Sequence, residues 1–282
     1  SLSAKAMADE LCRPSELCRP TEVLQLELRH PSCLGGVHVQ VQDLCAGYAA
    51  GPEVLRGLSF DLPPASRTAL IGPAGCGKST ALLCLLRLLE PRRGQVLLNG
   101  TDAAQLGLRA LRATVGLVPQ DPAIFEGSWR YNVDPLGLHP DGRVWEALRC
   151  VGLLPEVRQH PHGLDGHPDA PPTGSAGAGS PPEGPCAARL STGQRQLLNL
   201  ARLVVQRPPL VLMDAGSAGL DPAAQEVVKS VLRSQFPMST VLAVVQRPSE
   251  LSGFDRFVAM REGEAAEVGS ALEAMKRFGG GR

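Results

Sequence analysis

The run Gly72-Pro73-Ala74-Gly75-Cys76-Gly77-Lys78-Ser79-Thr80 fits G-x-x-x-x-G-K-[ST], a spacing suited to gripping phosphate. Gly72, Gly75 and Gly77 permit backbone angles and close approaches that a side chain would block. The N–H groups of such a loop converge on phosphate oxygens, and the helix that follows presents its positive end to the anion. Lys78 is placed to reach β- and γ-phosphates, and the Ser79 hydroxyl to ligate Mg²⁺. A second run, Leu210-Val211-Leu212-Met213, reads as a buried strand that delivers a carboxylate, Asp214, at its end. An Asp at the end of a buried strand beside a phosphate loop is suited to hold a phosphate-bound Mg²⁺. A third run, Leu190-Ser191-Thr192-Gly193-Gln194, puts Ser and Gly just ahead of a helical pattern. The same helix-terminus physics makes it a second anion site, and the plain alternative is that Ser191 is only an N-cap.

These residues need a scaffold, and the flanks supply one. Residues 67–71 read as a buried strand and 80–89 as an apolar helix. Strands are expected at 37–41, 54–62, 95–98, 115–118, 240–245 and 256–260, with Asn99-Gly100 as a turn. Helices are expected at 106–112, 194–206 and 223–234, and the stretch 122–156 is helical in pattern. Strands alternating with helices around a phosphate loop imply a mostly parallel α/β sheet. Residues 1–34 carry a small repeat, Leu11-Cys12-Arg13-Pro14 and Leu17-Cys18-Arg19-Pro20, and read as a linker or N-terminal extension before a domain at 35–282. Residues 161–188 are rich in Pro, Gly and Ala with few core-forming side chains, which predicts a mobile surface loop.

Bulk composition narrows the classes. The net charge is +0, so there is no basic footprint for nucleic acid. Eight cysteines are scattered with no C-x-x-C, and Cys76 lies inside the phosphate loop. That argues for reduced thiols and against a zinc site. The longest apolar run, at 81–89, is short and contains Arg87, so no membrane span is expected.

With these motifs in place, the chain resembles the nucleotide-binding domain of ABC transporters, from about residue 37 to residue 269. Leu190–Gln194 is similar to that family's signature, which varies around L-S-G-G-Q. Residues 118–128, followed by Tyr131-Asn132-Val133-Asp134-Pro135, look most like the second such domain of the C subfamily, the multidrug-resistance-associated proteins. The resemblance implies a phosphate-loop core with a mostly parallel sheet, an antiparallel β subdomain and a helical subdomain at about 122–189. It implies ATP and Mg²⁺ as cofactors, with Ser79, Gln120 and Asp214 around the metal. It makes Tyr48 the aromatic that stacks on adenine, and Gln120 the glutamine that contacts Mg²⁺ or the attacking water. Asp221 falls in the segment that crosses between two paired domains. In such a pair each ATP lies between the phosphate loop of one domain and the signature of the other. The implied partners are a second nucleotide-binding domain and transmembrane domains, at the cytoplasmic face of a membrane.

Two positions depart from the family pattern. The family's general base, a Glu directly after the strand-end Asp, is here Ala215. Its switch His, after the next strand, is here Gln246, and no His lies beyond His167. Ala215 offers no proton acceptor, and Gln246 forms hydrogen bonds but shuttles no proton. These positions predict MgATP binding with slow or absent hydrolysis at this site. Three functions follow: an exporter's ATP-binding domain, a regulatory ATP-binding module without hydrolysis, and a soluble ABC ATPase of translation or DNA repair, which the neutral charge disfavours. A third departure is the segment 165–188, where Pro/Gly/Ala sequence replaces the family's shorter acidic, Gly-rich connection.

Overall fold

A computed structural model describes residues 35–49, 51–169, 190–214, 221–246 and 248–272. The expected linker at 1–34, the position Ala215 and most of the expected loop at 161–188 lie outside the described residues. The chain divides into two compact units, one α/β and one helical.

The α/β unit holds both sheets. Its six-stranded sheet runs β10-β9-β3-β8-β7-β6. Five neighbours are parallel: β6 (Val115–Val118), β7 (Leu210–Met213), β8 (Thr240–Val244), β3 (Arg67–Ile71) and β9 (Arg256–Arg261). Every residue of β7 and β8 is buried. That is why these strands are short unbroken apolar runs rather than alternating ones. The antiparallel edge strand β10 (Glu264–Ser270) was not expected. Its Glu-, Ala- and Gly-containing sequence has low strand propensity, and pairing with β9 overrides that.

The second sheet, order β2-β1-β4-β5, is wholly antiparallel. It comprises β1 (Val39–Ala46), β2 (Leu55–Leu62), β4 (Arg93–Leu98) and the two-residue β5 (Thr101–Asp102). Asn99 and Gly100 both have positive φ, 49° and 80°, and turn β4 into β5 as expected. Successive positive φ values define the tight hairpin turn that Asn-Gly favours. Register shifts after Val41 bend β1 and let it run on to Ala46, past the expected end at 41. The core of this unit joins the two sheets through α1 (Lys78–Leu85), with Leu44, Leu55, Leu58, Leu62, Leu82 and Leu85 fully enclosed.

Helix α1 stops four residues short of the expected 89. Arg87 takes a left-handed conformation, φ 50°, and two bonds close the end: Arg87 N–H to the Cys84 carbonyl and Leu88 N–H to the Leu83 carbonyl. This six-to-one and five-to-two pattern is a Schellman cap, normally built on Gly. Here the guanidinium of Arg87 compensates by donating to the carbonyls of Ala103, Ala104 and Leu106. Helix α2 (Leu108–Thr114) begins two residues later than expected, after Gly107. Cys45, Cys76, Cys84 and Cys150 are free thiols, and burial pushes Cys84 up to about 12.

The helical unit contains α3 (Trp129–Val133), α4 (Asp141–Cys150), α5 (Leu154–Gln159), α6 (Thr192–Gln206) and α7 (Pro222–Gln235). The pattern at 122–156 is thus three short helices. Gly137 and Gly152, both at positive φ, and Pro140, just before α4, interrupt it. The expected loop at 161–188 is corrected at its start. Residues 163–165 form a 3₁₀ turn with Leu164 buried, and Trp129 N–H donates to the Gly166 carbonyl.

Asn132 is the polar centre of this unit. It is fully buried, accepts from Phe125 N–H at 2.8 Å and donates to the carbonyls of Phe125 and Ser128 at 3.0 Å each. The guanidinium of Arg202 on α6 reaches the Asn132 carbonyl and the Ala123 carbonyl, and lies 4.3 Å above the Phe125 ring. Asn132→Ala removes the side-chain bonds to the N–H and carbonyl of the part-buried Phe125, which have no other described partner in this network. It is expected to cost ~2–3 kcal/mol of stability, read as a lowered denaturation midpoint of the helical unit by circular dichroism. A loss under ~0.5 kcal/mol would show that water takes over those bonds.

Candidate nucleotide site

The site is built at one edge of the six-stranded sheet. Four adjacent parallel strands, β3, β8, β7 and β6, end there, and each carries an expected residue just past its C-terminal end. In open α/β sheets that edge is where ligands bind.

Strand β3 feeds the glycine-rich loop. Gly72, Gly75 and Gly77 have φ of 153°, 79° and 103°, which only glycine adopts without strain. A Cβ on Gly72 would sit 2.4 Å from the Met260 carbonyl, so the loop's back is packed tight against β9. A Cβ on Gly75 would meet nothing within 4 Å among the described residues, so that side of the loop is open to them. Residues 72–75 are exposed, while Cys76 is buried beneath them. Gly77 opens α1, whose first-turn N–H groups at Lys78, Ser79 and Thr80 have no side-chain cap. An uncapped helix start behind an open loop is an anion cradle. Lys78 folds over it and donates to the carbonyls of Gly72 at 2.8 Å and Pro73 at 2.7 Å.

Strand β7 delivers Asp214, whose N–H bonds the Val118 carbonyl of β6. Its carboxylate accepts from the Ser79 hydroxyl at 3.1 Å. Burial pushes Asp214 above the usual carboxylate range, and the Ser79 hydrogen bond and the Lys78 charge oppose that shift. Hydroxyl and carboxylate are hard oxygen donors held together, the kind Mg²⁺ takes. No group of three His, Cys, Asp or Glu side chains among the described residues could hold a metal. Mg²⁺ does not require one, because it binds one or two protein oxygens and completes its shell with phosphates and water.

Gln120 lies two residues past β6 and Gln246 two residues past β8, and both are exposed. The N–H of Gln246 donates to the carboxylate of Glu250, which is buried. Nothing in the local sequence marks Glu250 as a holder of that turn. Tyr48, just past β1, is 45% exposed, and its hydroxyl lies 3.2 Å from that of Thr80 in α1. The loop residues, Lys78, Ser79, Thr80, Asp214 and Tyr48 thus come together, and Gln120 and Gln246 share their sheet edge.

The signature run lies in the helical unit. Ser191 caps α6: it accepts from Gln194 N–H at 3.1 Å while the Gln194 side chain accepts from Ser191 N–H at 2.9 Å. Ser191 is therefore the N-cap of α6. The cap also turns Ser191 and Thr192 outward, both exposed, while Leu190 is buried as an anchor. Two acidic groups hold this corner. Glu156 accepts from the Gln194 amide at 3.0 Å, and Asp169 pairs with Arg195 at 3.2 Å and takes the Leu190 N–H. Asp169 was hidden in the low-complexity stretch, and its role follows only from tertiary contact. Asp221 caps α7 through the Ala224 N–H at 2.8 Å.

A family model described as ABC transporter matches residues 55–218. The ABC transporter C family member 8 of Dictyostelium discoideum is 32% identical over 223 residues, 79% of this chain and 13% of that protein. The mouse ATP-binding cassette sub-family C member 10 is 35% identical over 233 residues, 82% of this chain and 14% of that protein. The chain therefore spans about a seventh of the length of these relatives. Among solved structures, a bacterial Atm1-family ABC exporter with ATP bound aligns with a TM-score of 0.74 at 29% identity, over 85% of this chain and 40% of that one. The loop at β3, the Asp214 strand, the capped signature and these likenesses agree: the chain belongs to the ABC transporter family, as an ATP-binding domain whose relatives are C-subfamily members.

Proposed function

We propose that this chain is the ATP-binding domain of an exporter-type ABC transporter, that it binds MgATP at the Gly72–Thr80 loop, and that it hydrolyses ATP slowly or not at all at that site. The observation that carries binding is the shared sheet edge, where the loop, Ser79 and Asp214 stand together. Loop N–H groups and Lys78 hold the phosphates, Tyr48 stacks under the adenine, and Ser79 and Asp214 hold the metal, with Gln120 beside them. Mg²⁺ supplies charge neutralisation at the β- and γ-phosphates. The exposed Ser191 and the half-buried Gly193 serve a partner domain's ATP rather than this chain's own. A second nucleotide-binding domain and transmembrane domains are the proposed partners, at the cytoplasmic face of a membrane. No described helix is long and apolar enough to cross one, so the spans would come from other segments.

A specific observation favours a second reading, a regulatory module that binds ATP without turnover. Ala215 and Gln246 stand where proton transfer would need Glu and His. The two readings share the binding step and differ in rate.

Titration calorimetry of the 282-residue chain tests the shared step. ATP with Mg²⁺ is expected to bind saturably, and removal of the metal by chelation or Asp214→Asn is expected to weaken binding about ten-fold, ~1.4 kcal/mol. Absence of saturable binding at millimolar MgATP would overturn the proposal.

A further inference from the structure

The adenine platform has a holder that the motifs do not reveal. Tyr48 stands on the connection between β1 and β2, which closes on itself through Gly51 N–H to the Tyr48 carbonyl and Val54 N–H to the Ala46 carbonyl. Tyr48 and Ala49 are exposed in this connection, and Ala49 sits at positive φ, 45°, a conformation that a non-glycine residue seldom adopts. Among the described residues, a single side chain bridges Ala49 and Gly51. The Arg92 guanidinium, arriving just before β4, donates from one nitrogen to the carbonyls of Ala49 and Gly51, each at 2.8 Å. The backbone of Arg92 is fixed in turn, its N–H on the Cys45 carbonyl of β1 at 2.7 Å. From the other side, the Thr80 hydroxyl meets the Tyr48 hydroxyl. The ring is thus held at its tip by α1, and the backbone that carries it is held by Arg92.

We propose that Arg92 is a positioning residue for nucleotide binding: its two charge-assisted bonds keep the Tyr48 loop in the conformation that receives the base. The inference rests on the reading of Tyr48 as the adenine platform. Its physical basis is preorganisation. Apparent affinity falls by the fraction of molecules in which the platform is formed, and bonds from a cation to carbonyls are stronger than neutral ones. Arg92 touches no part of the phosphate loop in the described contacts, so its influence should fall on the base and not on the phosphates.

Two ligands separate these effects: ATP, and tripolyphosphate, which has no base. Arg92→Ala is expected to weaken ATP about five-fold and leave tripolyphosphate unchanged, as it would if the platform were formed about a fifth of the time. The double variant Tyr48→Ala/Arg92→Ala is expected to bind ATP no more weakly than Tyr48→Ala alone, because the clamp acts only through the ring. Tripolyphosphate affinity also reports that the variant is folded, and Arg92→Gln is read the same way if Arg92→Ala does not fold. Unchanged ATP affinity in Arg92→Ala, beside a weakened Tyr48→Ala, overturns the clamp and leaves the platform intact. Equal loss for both ligands, or losses that add in the double variant, also overturn it. Unchanged ATP affinity in Tyr48→Ala removes the platform reading and the clamp with it.

Discussion

Lys78→Ala is expected to weaken MgATP binding by ~30–1000-fold while leaving the fold intact. Lys78 is half-buried and, among the described residues, bonds only to the carbonyls of Gly72 and Pro73 and the Cys76 sulfur. Those contacts hold a cation over an otherwise open anion cradle. The loop's N–H groups supply direction but only partial charge, whereas a nucleoside triphosphate brings several full negative charges. The ammonium is the loop's one full positive charge, and a hydrogen bond from a charged donor is worth ~1.5–3 kcal/mol. One to two such bonds to β- and γ-oxygens account for the expected range. Structural cost is small, because water can replace an ammonium on carbonyls that are already near solvent. Calorimetric titration with ATP, beside thermal unfolding of the same samples, checks both halves. Binding within three-fold of the parent chain would move the nucleotide away from this loop.

The residues that this prediction uses were legible because their chemistry is local. A phosphate loop acts through backbone angles that glycine alone permits, so its residue types and spacing are the mechanism. Asp214 was legible for a related reason, since a strand buried on both faces must be continuously apolar and its first charge marks the edge. Asn99-Gly100 announced its own turn. What stayed hidden is tertiary. Helix α1 ends at Leu85 because Arg87 finds three distant carbonyls, and an arginine in a helical run gives no hint of that. Asp169, Glu156 and Glu250 carry no local sequence signal, yet each holds backbone or side chain beside a run singled out in the sequence. Arg92 sits in an unremarkable Pro-Arg-Arg-Gly run at the start of β4 and is informative only once the β1–β2 connection is folded beside it. Strand β10 was missed because its propensity is weak and its partner strand supplies the order.

Restoring the missing proton chemistry should give the largest gain. Ala215→Glu with Gln246→His is expected to raise single-turnover ATP hydrolysis by ~10²–10⁴-fold at saturating MgATP. The magnitude follows from what a positioned general base contributes to activating water. Ala215 follows Asp214 directly in sequence, so a carboxylate introduced there adjoins the proposed metal ligand, whose carboxylate already accepts from Ser79. Gln246 already stands at the end of β8 with its backbone fixed on Glu250, so His enters a prepared turn. The two substitutions should not contribute equally. Glu supplies the acceptor that alanine lacks entirely, whereas Gln already has hydrogen-bonding groups and His adds proton exchange. Ala215→Glu alone should therefore recover most of the rate, and Gln246→His alone little. In the proposed function two domains pair and the partner's signature completes the site, so the measurement is made at high protein concentration and repeated on dilution. A gain that disappears on dilution identifies pairing as the condition for turnover. A parent chain that already turns over at the rate of the double variant would show that Ala215 is no handicap and would sink the slow-site reading. A double variant that binds MgATP as tightly as the parent and gains nothing would place the defect elsewhere, outside these two positions.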